Sequence, residues 1–204
     1  MTSAEIFLTS RYAAAELAGA LLLGKYARKT KDDYLRKNLT LHCYQEAGHA
    51  WKWTEVLKRK NLPLLEIHEK SEFFSYSKEL SSDIEFLAWT HVYELRGEFH
   101  LKTHMAIERM DDDLRNAMHD ILESEEAHLD WIGAYLAKLQ KEGHEEIADY
   151  VQKWGAIENK TYLEFVEKLL SAKDTGLVEV GDLLKKNLPQ YEFKWKALTA
   201  VHKI

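Results

Sequence analysis

Residues 32–49 read DDYLRKNLTLHCYQEAGH, and residues 111–128 read DDDLRNAMHDILESEEAH. Asp32, Asp33, Leu35, Arg36, Glu46 and His49 return 79 residues later as Asp111, Asp112, Leu114, Arg115, Glu125 and His128. A second matching block lies upstream of each stretch. Glu16-Leu17-x-Gly19 and Leu23 return 78 residues later as Glu94-Leu95-x-Gly97 and Leu101. The slip of one residue between blocks is what a slightly different hairpin turn produces. The chain therefore reads as two copies of one helical hairpin, related by a pseudo-twofold axis.

The intervening sequence supports helices throughout. Only Pro63, Pro189 and nine glycines interrupt a chain rich in Ala, Leu, Glu and Lys, and no run of alternating β-branched residues argues for a strand. A first helix is expected over about 3–29. Thr30 is the expected cap of a second, with Asp33 at its third position, running to about Lys60 before Pro63. A connection of roughly 20 residues follows, long for a compact domain, with a short helix expected around Lys70–Leu80. Ser82 and Glu85 form a capping box for a third helix reaching about Met110. Asp111-Asp112 lead directly into a fourth that stops near Gly143. A fifth spans about His144–Leu170, and two shorter helices separated near Pro189 complete the chain. Short links force antiparallel neighbours, whereas the long crossover lets the third helix run parallel to the second. The expected architecture is all-α: one domain over 1–204, with a four-helix bundle in 1–142 and a helical extension in 143–204.

Composition narrows the function. The 204 residues are 46% hydrophobic and 30% charged, an ordinary globular balance with enough apolar material for a large core. A formal charge of −6 lacks the basic excess of a nucleic-acid-binding protein. Cys43, the only cysteine, excludes an internal disulfide, a four-cysteine zinc site and a rubredoxin-type iron centre, and fits a reducing compartment. The first residues lack a basic n-region. The longest apolar stretch, Ala13–Gly24, is broken by Glu16 and is shorter than a bilayer requires. The expectation is a cytoplasmic protein with neither nucleic acid nor membrane as partner.

The repeated positions are of metal-ligating type. Each hairpin supplies a Glu from its first helix, Glu16 or Glu94, and a Glu-x-x-His from its second, Glu46/His49 or Glu125/His128. Residues three apart share a helix face, so each pair can grip one ion. With 23 Glu and ten His in the chain, a lone Glu-x-x-His carries little weight; two related by a repeat, each with a Glu 30 or 31 residues upstream, carry much more. Glu16, Glu46 and Glu125 also lie on largely apolar stripes, while Thr90, His91 and Glu98 make the surroundings of Glu94 more polar. Several buried carboxylates together are costly. Two divalent cations would balance the four, with both imidazoles neutral.

On this signature, Glu, Glu-x-x-His, Glu, Glu-x-x-His over about residues 3–141, the chain resembles the ferritin-like superfamily of non-haem di-iron carboxylate proteins. That group includes ferritins, rubrerythrins and small bacterial oxidases and oxygenases. The resemblance implies a ferritin-like bundle holding two iron ions, with manganese acceptable in one or both positions. It implies that Glu46 and Glu125 bridge the metals, and that the metals react with dioxygen or peroxide using an external electron donor. The expected activity is an oxidase or oxygenase acting on a small organic substrate. The alternative is a rubrerythrin-like peroxidase or ferroxidase. A monomer or homodimer would fit either, and a large cage would fit storage.

Glu98 departs from the repeat, standing where the first copy has Ala20. Its expected role is catalytic, as a seventh ligand or a proton relay, against the plainer reading of a solvated partner of Lys102. His42 and His91 each lie one turn before a ligand and either support it or pack in the core. Cys43 is expected to pack as a small apolar residue. Tyr12 is expected to fill core, as are Trp51 and Trp53, with an interface the other place for that pair.

Overall fold

The computed structural model describes residues 1–67 and 75–201, the side chains of Phe193 and of 195–201 excepted. Among the described residues there are six α-helices, one 3-10 turn and no strand. The helices are α1 (Ser3–Lys29), α2 (Asp33–Arg59), α3 (Asp83–His104), α4 (Asp112–Lys141), α5 (Ile147–Leu170) and α6 (Thr175–Val201). The 3-10 turn is Tyr76–Lys78. Much of the short helix expected around Lys70–Leu80 lies outside the described residues. The chain divides into two compact units, Met1–Glu69 with Glu108–Ser124, and Lys70–Ile107 with Glu125–Ile204. The first part of α4 thus belongs to one unit and the rest to the other.

In the first unit α1 opens on a capping box. Thr2 Oγ1 accepts from the amide of Glu5, whose carboxylate accepts from the amide of Thr2. Thr30 ends α1 instead of starting α2, its amide donating to the carbonyl of Tyr26. The cap of α2 is Asp32, which accepts from the amide of Leu35 at 2.7 Å. A carboxylate at a helix N-terminus is a stronger acceptor than the Thr30 hydroxyl and suits the helix dipole, which displaces the expected cap by two residues. Helix α2 stops at a Schellman turn, with Asn61 at φ 54° and the amide of Leu62 donating to the carbonyl of Leu57. The stop therefore precedes Pro63. The α1–α2 hairpin is antiparallel: Gly19 stands opposite Glu46, and Gly24 opposite Cys43. Leu8, Leu35, Leu39, Trp53 and Leu57 are fully buried, as are Leu114 and Met118 of α4. Each contributes roughly 1.5–3 kcal/mol of burial. By length and composition α1 is apolar enough to cross a membrane, and half of its most apolar window is buried.

In the second unit Ser82 caps α3 by accepting from the amide of Glu85. The carboxylate of Glu85 completes no reciprocal bond to Ser82. It accepts from the amide and hydroxyl of Ser81, from Lys153 and from the indole of Trp154. This ties α3 to α5, and the contacts from Glu85–Trp154 to His100–Tyr162 make the two helices parallel. Helix α3 ends at His104, short of Met110, because tight bonds such as Ala106 N to the carbonyl of Thr103 close its last turn. Asp111 is then left to cap α4 through the amides of Asp113 and Leu114. Helix α4 ends as expected at Gly143, φ 101°.

Pro189 does not divide the C-terminal segment. It lies inside the single helix α6, on the exposed side with Lys185, while Leu184, Leu188 and Tyr191 are buried. The carbonyl of Lys185, which proline deprives of its partner, faces water there, so the buried stripe carries the helix through. Helices α5 and α6 form an antiparallel hairpin, with Gly181 against Leu169 and Leu170 and Tyr191 against Glu158.

Candidate metal centre

Three of the predicted ligands meet within the first unit. Glu16 of α1 and Glu46 and His49 of α2 each offer a donor atom, all within 4.8 Å of one another. His49 Nδ1 lies 3.4 Å from Glu46 Oε1 and 3.8 Å from Glu16 Oε2. Glu46 and His49 are buried, and Glu16 is half-buried. Two neighbours hold the carboxylates in place. Trp53 Nε1 donates to Glu16 Oε1 at 3.3 Å. Gly19 leaves room for Glu46, since a Cβ there would stand 3.1 Å from Glu46 Oε2.

The tautomer of His49 follows from its other nitrogen. Ser124 Oγ donates its one hydrogen to the carbonyl of Ile121 at 2.8 Å, so towards His49 Nε2, 2.7 Å away, it acts as acceptor. Nε2 then carries a proton, and in the neutral ring the Nδ1 lone pair faces two carboxylates. Such a grouping calls for a positive charge between lone pair and carboxylates, which a proton on Nδ1 or a metal ion supplies. A metal at this point satisfies all three groups, with Ser124 fixing the imidazole as outer partners of metal-bound histidines do.

The second unit repeats the arrangement. His128 Nδ1 lies 3.7 Å from Glu94 Oε2 and 3.6 Å from Glu125 Oε2, and all three residues are buried. Glu94, despite its more polar surroundings in sequence, is as well enclosed as Glu125. Each unit therefore sets a buried histidine Nδ1 within 4 Å of two carboxylates, a group that could hold a metal ion, which metal being left open by oxygen and nitrogen donors.

Glu98 is also buried, but its oxygens face lysines. Lys102 Nζ donates to Oε1 at 2.6 Å, and Lys194 Nζ of α6 donates to Oε2 at 2.8 Å. Burial pushes this carboxyl up, and the two lysines outweigh it, holding it below the ordinary value. His42 Nε2 lies 3.6 Å from Glu46 Oε1, beside the first trio. The ring of His91 packs where a Cβ on Gly133 would be, 3.1 Å from its Cε1. Cys43 is half-buried against Gly24. The ring of Tyr12 lies on that of Trp53, with centroids 5.2 Å apart.

Sequence reasoning missed three supporting residues. Trp53 is a partner of Glu16 as well as a core aromatic, and its position four residues after His49 on the same face signalled this. Neither Ser124 nor Lys194 has a motif that marks it. A further buried network, Arg96 Nε 3.2 Å from Glu158 Oε1 with Tyr191 donating to Glu158 Oε2, was likewise unmarked. Burial pushes the Glu158 carboxyl up against the opposing pull of Arg96 and Tyr191.

No family model, curated protein or solved structure matches the chain.

Proposed function

We propose that the two trios together hold two iron ions, and that the protein is a ferritin-like dimetal oxidase or oxygenase acting on a small organic substrate. The observation that carries this reading is the imidazole–carboxylate geometry. His49, held by Ser124 at Nε2, sets Nδ1 beside Glu16 and Glu46, and His128 presents the same nitrogen to Glu94 and Glu125. The repeat in sequence supports it independently.

Glu16, Glu46 and His49 would hold one ion and Glu94, Glu125 and His128 the other. When bound, two ferrous ions supply electrons to dioxygen at neutral pH. The chain's own part is to exclude water from the buried donors and to fix them through Trp53, Ser124 and Gly19. Glu98, held as a carboxylate by Lys102 and Lys194, supplies a fixed negative charge one turn beyond Glu94.

Oxygen uptake by the ferrous-loaded protein tests this reading. Uptake faster than that of free ferrous iron, lost in a His49→Ala/His128→Ala double variant, is expected. Uptake equal to free iron would refute the redox role. The competing peroxidase or ferroxidase reading predicts peroxide consumption with no organic substrate present.

A further inference from the structure

The outer face of the α1–α2 hairpin has a composition that the metal centre on its inner side does not use. On α1, Leu17 is 51% and Leu21 69% exposed; on α2, Leu41 is 55%, Tyr44 75% and Trp51 59% exposed. Ala47 and Gly48 are exposed between them. From Tyr12 to Gly24 and from Asn38 to Trp51 the only charged residues are Glu16 and Glu46, both engaged with His49. Five large apolar side chains at about 100 Å² each amount to roughly 500 Å², the size of the largest apolar patch on a typical soluble monomer, and patches of that size are often functional.

Basic residues lie at both ends of this patch. Lys37, Tyr44, Trp51 and Lys58 recur every seven residues along one line of α2, and Leu17, Leu21 and Arg28 follow one line of α1. Lys25, Arg28, Lys37, Lys58 and Arg59 are all exposed, and Lys58 reaches back over the Trp51 ring at 5.4 Å. Lys58 also pairs with Glu55 at 3.0 Å on the surface of α2, while Lys52 and Lys60 pair with Asp120 and with Asp111 and Asp113. Residues 11–60 carry eleven basic and five acidic side chains, a formal +6, which leaves 17 basic and 29 acidic elsewhere in the chain.

We propose that this hairpin face docks on an anionic lipid bilayer surface, with Leu17, Leu21, Tyr44 and Trp51 entering the interface and Lys25, Arg28, Lys37 and Lys58 meeting headgroups. An uncharged Leu/Tyr/Trp centre with cations at its margins is the pattern of interfacial helices. A nucleic acid would need cations within the patch, and a second copy would set two basic hairpins against each other. Lying on a surface differs from spanning it, so the proposal revises only the expectation that no membrane is involved. It does not depend on bound metal.

The test is flotation of the full-length chain with phosphatidylcholine vesicles, with and without phosphatidylglycerol. The chain is expected to float with anionic vesicles at low salt, and to stay behind with neutral ones and at high salt. Each basic residue at such a surface contributes about fivefold in partition, so Lys37→Glu/Lys58→Glu should weaken binding about 25-fold or more. Leu21→Glu should abolish it while circular dichroism stays unchanged. No flotation of the wild type overturns the proposal, as does flotation unaffected by Leu21→Glu. A dimer in sedimentation that Leu21→Glu dissociates, with no vesicle binding, would assign the face to a second copy.

Discussion

His49 Nε2 and Ser124 Oγ are 2.7 Å apart, and this one contact sets which nitrogen of the imidazole is available to a metal. Without the serine acceptor, the ring can protonate Nδ1 toward Glu46 and Glu16 instead. Ser124→Ala is expected to lower affinity for ferrous or cobaltous ion about 10–100-fold while shifting unfolding by only about 1 kcal/mol. Isothermal titration of the variant beside Ser124→Thr, which keeps the hydroxyl, measures the affinity, and urea unfolding measures the stability. Equal affinity in wild type and alanine variant would refute the tautomer assignment.

The glycines at repeat-equivalent positions give an internal control. A methyl group on Gly19 meets Glu46 Oε2 at 3.1 Å, whereas one on Gly97 meets nothing within 4 Å. Gly19→Ala should displace the Glu46 carboxylate and weaken metal binding severalfold. Gly97→Ala should leave binding alone and stabilise the helix by about 0.5–1 kcal/mol. The same metal titration, paired with urea unfolding, distinguishes them.

Glu98 predicts an acid-side dependence of stability. Burial raises its carboxyl pKa, but Lys102 and Lys194 lower it more, so the folded value lies below the 4.5 of the free group. The unfolded chain therefore binds this proton first as pH falls. The stabilising contribution is complete above that unfolded value and is lost as pH drops through the folded one. Glu98→Gln should be less stable than wild type at neutral pH and converge with it at low pH. Unfolding midpoints collected across that range would show a constant gap if the lysine pairing contributed nothing.

Tyr191 is fully buried and donates to the equally enclosed Glu158, whose other oxygen faces Arg96. Removing the hydroxyl leaves a buried carboxylate oxygen short of a donor. Tyr191→Phe is expected to cost about 1.5–3 kcal/mol of stability, seen as a lower urea midpoint with unchanged slope. An unchanged midpoint would mean that the phenol contributes no net hydrogen bond.

The parts of this structure legible in sequence are those set by local chemistry and repeated pattern. Helix α1 runs from Ser3 to Lys29 as its composition suggests. Within each of α2 and α4 the repeated Glu and His come together because residues three apart share a helix face. What escaped the reading depends on tertiary choices. Asp32 rather than Thr30 caps α2 because the carboxylate is the stronger acceptor, and either residue fits the local sequence. Pro189 sits within α6 because its side of the helix faces water, which the sequence does not state. Lys194 is drawn to Glu98 across almost a hundred residues, so no local spacing announces it.

The central claim is that six side chains hold two metal ions, and elemental analysis after anaerobic reconstitution with ferrous iron tests it most directly. About two metals per chain are expected for the wild type, falling toward none in His49→Ala/His128→Ala with the helical spectrum retained. A wild-type chain that takes up no more metal than the double variant would contradict the account.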